Sequence, residues 1–184
     1  MNFKLIFSFL CLSSLSQILP MDQFPCKENI LGLPVNLGKS VLVAVIIPEN
    51  FKMIQSEPSP LMEFIPKTET PDKWSHIIST QIFMGSNLTA EFMMNHIKYV
   101  VVPNGVTNIK LLEEFKENKD SYSVAYFAVA YTKNGRREVL FAKYFSGPYD
   151  CSGIQYTIAI KDPMTDEAAL KIMKEYIEKN VQIV

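Results

Sequence analysis

Asn134-Gly135 stands between two runs of aromatic and β-branched residues, 121–133 and 136–145. A two-residue type I′ turn needs positive φ at both central positions, and Asn-Gly supplies it with least strain, so the pair dictates a hairpin. Gly147-Pro148 breaks the chain before a third run that ends at Lys161. The stretch 121–161 therefore reads as a three-stranded antiparallel meander with Cys151 in its second connection. Within Tyr122–Tyr131 both alternating sets of side chains are apolar or aromatic, the pattern of a strand covered on both faces. The fold class that satisfies this is α+β, a central antiparallel sheet with helices packed against it.

Two helices are available for that cover. Thr89 or Asn87 caps a segment over about 89–102, where Phe92, Met93, Ile97, Val100 and Val101 recur near a 3.6-residue period and Pro103-Asn104-Gly105 ends it. The second, about 164–179, opens at Asp162-Pro163 with acidic residues in its first turn. It carries Ala169, Ile172, Met173, Tyr176 and Ile177 as one stripe against a charged opposite face. Val41–Ile47 is a continuous apolar run ended by Pro48 and reads as a strand buried on both faces. Short strands follow at Phe51–Ile54 and Leu61–Ile65, then one helical turn with Trp74, then a strand to Met84. Residues 109–115 fit strand or helix; strand is favoured, with Lys116–Asp120 as a polar turn. The tail Val181–Val184 is apolar and has to pack.

Lys4 followed by the apolar stretch Leu5–Leu12 and small residues has the layout of a secretory signal peptide over 1–16, with Ser14-Leu15-Ser16 at the cleavage site. A membrane anchor needs roughly 20 apolar residues, more than this run has. Residues 17–36 read as an irregular, proline-broken lead, and 37–184 as a single α+β domain. Removal of the signal takes Cys11 with it and leaves Cys26 and Cys151, an even pair that favours a disulfide in an exported protein. Closing so long a loop contributes about 4–5 kcal/mol in the chain-entropy account. The expected location is the periplasm or the cell exterior.

An apolar strand ending at Ile47-Pro48, a strand with Phe64-Ile65-Pro66, a turn with Trp74, a strand through Ile77–Phe83, a helix, the meander and a final amphipathic helix succeed one another. This order resembles the PsbP/Mog1-like α/β/α sandwich of small exported domains, and is similar to secreted proteins of Gram-negative bacteria. The resemblance covers roughly 41–184 and rests on a pattern of elements. It implies a binding or assembly module and supplies no catalytic residues to carry over.

Net charge is -1 with no basic run, so the electrostatic footprint of a nucleic-acid binder is missing. There is no Gly-x-Ser-x-Gly, no phosphate-binding glycine loop, no His-Glu-x-x-His and no Cys-x-x-Cys, and no cofactor is implied. One nucleophile arrangement stands as the enzymatic alternative: Cys151 activated by His76 or His96 in a hydrolase or transferase. Asp162, Asp166 and Glu167 read as calcium ligands or as charge complementing a helix dipole. Tyr122, Tyr126, Tyr131, Tyr144 and Tyr149, with Arg136 and Arg137 at the hairpin tip, are a candidate recognition surface; the competing reading is ordinary sheet core under a helix. The function expected is an exported non-enzymatic binding module. Its partner is a protein or a small apolar ligand, with no nucleic acid and no membrane segment after signal cleavage.

Overall fold

In the computed structural model, which describes residues 30–36, 40–54, 61–84, 88–119, 122–147 and 150–183, the meander is the middle of a larger sheet. In chain order the elements are β1 (Ile30–Asn36), β2 (Ser40–Ile46), β3 (Phe51–Ile54), β4 (Leu61–Pro66), β5 (His76–Met84) and α1 (Ala90–His96), which continues as a π-helical stretch, Ile97–Val101. Then come β6 (Val106–Asn118), β7 (Ser123–Lys133), β8 (Arg136–Ser146), β9 (Asp150–Ala159), α2 (Asp166–Asn180) and β10 (Val181–Ile183). Seven strands form one antiparallel sheet in the order β3-β4-β5-β9-β8-β7-β6, and β1-β2-β10 form a second. At the β7–β8 turn Asn134 has φ 51° and Gly135 φ 77°, with Lys133 paired to Arg136. That is the positive-φ pair a type I′ hairpin requires.

The two-sided apolar pattern of β7 to β9 serves two separate cores. Ala128, Ala130, Phe141, Phe145, Ile154, Tyr156 and Ile158 cluster with Ala169, Met173 and Ile177 of α2 and with Val43 and Val45 of β2. The alternate residues Ala125, Phe127, Val129, Leu140, Ala142 and Tyr144 cluster with Ala90, Met93, Met94 and Ile97 of α1. Successive side chains of a strand point to opposite faces, so each strand feeds both clusters. Burying each large apolar side chain contributes about 1.5–3 kcal/mol. Both helices start on a threonine cap: Thr89 Oγ1 accepts from the Phe92 amide at 3.0 Å, and Thr165 Oγ1 from the Ala168 amide at 3.1 Å.

Several expectations are corrected. The lead is not irregular throughout, since Ile30–Asn36 forms β1 and pairs with β2 along its whole length. Pro34 is tolerated there because β1 is an edge strand. The run 41–47 is not covered equally on both faces: Val43, Val45 and Ile47 are buried while Ala44 and Ile46 are half-buried. Near Trp74 the chain makes a reverse turn closed by Lys73 N–H to the Thr70 carbonyl, not a helical turn, because the β-formers after it extend at once into β5. Residues 109–115 are strand, and that strand continues through Lys116 to Asn118. Cys151 lies inside β9 opposite Ser146 and Phe83, not in a connection. In α2, Ile172 is exposed. The apolar tail packs as β10 against β2, with Val181 buried. The expected signal peptide at 1–16 lies outside the described residues. Among the described residues no helix is long and apolar enough to cross a membrane.

Candidate functional site

The side of the large sheet that faces α1 changes character from one end to the other. Under α1, on β7 and β8, it is apolar. On β9, β5 and β4 the same face carries Gln155, Ser79, Gln81 and Glu63. α1 is short and packs mainly on β7 and β8, so it leaves this polar part uncovered. The result is an open cleft of about 480 Å³. Its floor is Glu63, Ser79, Gln81 and Gln155, and its helical wall is Phe92, Met93, His96, Ile97 and Val101. A volume of this size suits a ligand or an inserted side chain with its flanks.

The wall is fastened from behind. Lys98 of the π-helical stretch pairs with Glu114 of β6, and Lys116 of β6 pairs with Glu91 of α1 at 2.7 Å. These two ion pairs hold one side of the helix to the edge strand β6 and leave its other side toward the cleft. There Phe92 is 53% exposed, and its ring lies parallel to His96 with centroids 6.4 Å apart. Tyr99, Val100 and Val101 are also exposed, and of these Val101 joins Phe92 on the cleft wall. On the floor, Ser79 Oγ donates to Glu63 Oε1 across 3.4 Å. The Gln155 amide donates to the Tyr144 hydroxyl at 3.1 Å, which orients Gln155 from beneath.

The residues singled out from sequence do not assemble into a catalytic site. Cys151 is fully buried, and its thiol donates to the Ser152 carbonyl at 3.9 Å. Burial first, and the nearby Asp150 charge second, push it up to about 12, which disfavours the thiolate that nucleophilic catalysis needs. His76 sits at the opposite end of the β5–β9 ladder, roughly 20 Å away at strand rise. Its Nδ1 lies 2.9 Å from the Tyr156 hydroxyl, and burial lowers its pKa despite the Glu69 charge. His96 is exposed on the cleft wall. The expected disulfide partner, Cys26, lies outside the described residues.

The tyrosine surface dissolves into core and edge. Tyr131 and Tyr144 are both buried in the core under α1, and Tyr122 and Tyr126 are half-buried; Tyr149 lies outside the described residues. Arg136 pairs with Glu138 and stacks on Trp74, and Arg137 pairs with Asp166 at 2.6 Å. Neither arginine is a free cation for a partner. Asp166 is taken by Arg137, and Glu167 by Lys110 at 3.1 Å. Among the described residues no group of acidic, histidine or cysteine side chains converges as metal ligands.

The cleft itself escaped sequence reading because Phe92, Val100 and Val101 fit a buried stripe. The signal present in the sequence was the width of that stripe. Phe92, Met93, Met94, Ile97, Tyr99, Val100 and Val101 take up more than half of the helix circumference, with Glu91, Asn95 and Lys98 on the remainder, and that stripe is wider than one packed face can take up. The floor residues Glu63, Ser79 and Gln81 gave no signal, because isolated polar residues on short strands are ordinary.

No protein-family model matches the sequence, and no curated protein matches it. In three dimensions the chain is similar to the Saccharomyces cerevisiae Ran-binding protein Mog1p, at 12% identity over 84% of this chain and 95% of that one, with a TM-score of 0.51. It is also similar to cyanobacterial PsbP from Synechocystis sp. PCC 6803, at 9% identity over 85% and 93% of the two chains, with a TM-score of 0.52. The fold is PsbP/Mog1-like, as the order of elements implied.

Proposed function

We propose that this PsbP/Mog1-like chain is an exported, non-enzymatic binding module of a bacterial envelope or secretome, and that it holds a protein partner in the cleft between α1 and the β4–β5–β9 face. The observation that carries the reading is the pair of exposed apolar side chains on the cleft wall, Phe92 and Val101, beside a concave polar floor. Leaving such side chains half in water forfeits burial energy of about 25 cal/mol per Å² of apolar surface. Contiguous exposure of this kind marks interaction sites. The yeast protein of this fold is a Ran-binding protein, which supports a protein partner over a small apolar ligand. Export is supported by Lys4 followed by Leu5–Leu12.

A photo-cross-linking side chain placed at Phe92 is expected to give partner adducts in cells, whereas one at Lys171, on the exposed side of α2, gives none. Equal labelling from both positions, or adducts only from Lys171, contradicts the cleft as the binding surface. The Cys26–Cys151 bridge belongs to the export reading, and alkylation of the unfolded, unreduced mature protein decides it. Two labelled thiols exclude the bridge.

A further inference from the structure

Several partly buried carboxylates of this fold have close partners within the chain. Among the described residues, Glu138 pairs with Arg136, Asp166 with Arg137, Glu113 with Lys174 and Glu91 with Lys116, all between 2.5 and 2.8 Å. Glu69 accepts from both the amide and the hydroxyl of Ser75 at 2.7 and 2.6 Å. Glu63 is half-buried, and the hydrogen bond it accepts among the described residues is the long one from the Ser79 hydroxyl at 3.4 Å. A carboxylate has about four acceptor positions, so one long bond leaves most of the Glu63 carboxylate open to a donor that enters the cleft. Glu63 lies on the cleft floor, opposite the helical wall.

From this mismatch we infer that the cleft receives a lysine or arginine side chain presented by the partner protein, with its cationic head on Glu63. The inference rests on the binding reading of the cleft given above and names the chemistry of its ligand. The surroundings complement such a group. Gln81 and Gln155 line the floor and offer amide oxygens to the remaining N–H donors. The rings of Phe92 and Phe83 line the same space, and their electron-rich faces attract a cation. Met93, Ile97 and Val101 on the wall match the methylene stem, which in a basic side chain is apolar to within an atom of the charge. A neutral apolar residue would fill the wall and leave Glu63 unpaired. An acidic one would be repelled.

The test uses the full exported chain, ¹⁵N-labelled, titrated with the N-acetyl N-methylamides of lysine, arginine and norleucine. Saturable shifts are expected at Ser79, Gln81 and Phe92. The two cations should bind at least about tenfold more tightly than norleucine, as a charge-assisted hydrogen bond in a partly buried site provides. Glu63→Gln, which keeps shape and removes charge, should erase that preference. Norleucine binding as tightly as lysine, a cation preference that survives Glu63→Gln, or no binding of any probe overturns the inference. In each of these cases Phe92 cross-links to a partner show that the cleft still binds, with a different ligand class. Loss of the cross-links as well removes the binding reading itself.

Discussion

Gly153→Ala is expected to lower stability by about 1–3 kcal/mol, the usual cost of overpacking a filled core, and to dislodge Gln155 from the cleft floor. Gly153 lies in β9 directly across from Tyr144 of β8. A Cβ at this position would sit 2.6 Å from Tyr144 Cε1 and 2.8 Å from Cδ1, inside van der Waals contact. The tyrosine cannot swing clear, because its side chain is fully buried against α1. Its hydroxyl is also the acceptor for Gln155, so any displacement of the ring passes to the cleft.

Two companion variants separate the contributions. Tyr144→Phe keeps the ring and loses the hydroxyl, and should cost about 0.5–1.5 kcal/mol. Tyr144→Ala opens a cavity and should cost about 3–5 kcal/mol. Urea unfolding midpoints at constant slope measure all three, and the Gln155 side-chain amide resonance reports the floor. An unchanged midpoint for Gly153→Ala would mean that the ring has room the structure does not show.

The second large effect is expected at Arg136. Glu138 is only 2% exposed, and Arg136 meets it through Nε at 2.8 Å and Nη2 at 2.5 Å. The same guanidinium stacks on Trp74 at 4.1 Å and donates to the Trp74 carbonyl at 3.2 Å. Removing one partner of a buried pair leaves an uncompensated charge, which typically costs about 3–5 kcal/mol. The Arg136 side chain is 35% exposed, so water replaces part of the lost interaction and Arg136→Met should cost about 2–3 kcal/mol. Tyr131 feels the same carboxylate: burial first and Glu138 second hold its phenol well above the usual range. The double variant Arg136→Met with Glu138→Leu should recover most of the loss, because the buried charge is then gone. A thermal melt in which the double variant is less stable than Arg136→Met alone would show that packing, not charge, dominates there.

These two sites also mark how far sequence reading reaches. The Asn134-Gly135 turn was legible because positive φ at two successive residues is a local demand with few solutions. The alternation of β7 was legible for the same reason, and it required a cover on both faces. The helix at 166–180 announced itself through its acidic first turn and its apolar stripe. By contrast, Arg136 and Arg137 looked like solvated hairpin charges, and nothing local reveals that Trp74 and Asp166 reach them from distant parts of the chain. Gly153 carried no local signal, and only pairing with Tyr144 shows why a side chain is excluded there. The tyrosines fitted a recognition surface and an ordinary sheet core alike, because aromatic residues serve both and period-2 alternation cannot say which face meets water.

Sequence by itself determined the local conformations, the hairpin at 134–135, the helix caps and the requirement for a two-faced antiparallel sheet. Each follows from backbone sterics or from the period of apolar residues, which act over a few positions. The tertiary structure alone decided strand order, the second small sheet of β1, β2 and β10, and the burial of Cys151. It also decided that α1 stops short of β5 and β4. The last point creates the cleft, because a helix of fixed length covers only part of a seven-stranded face, and which strands remain open depends on their order, not on any residue within them.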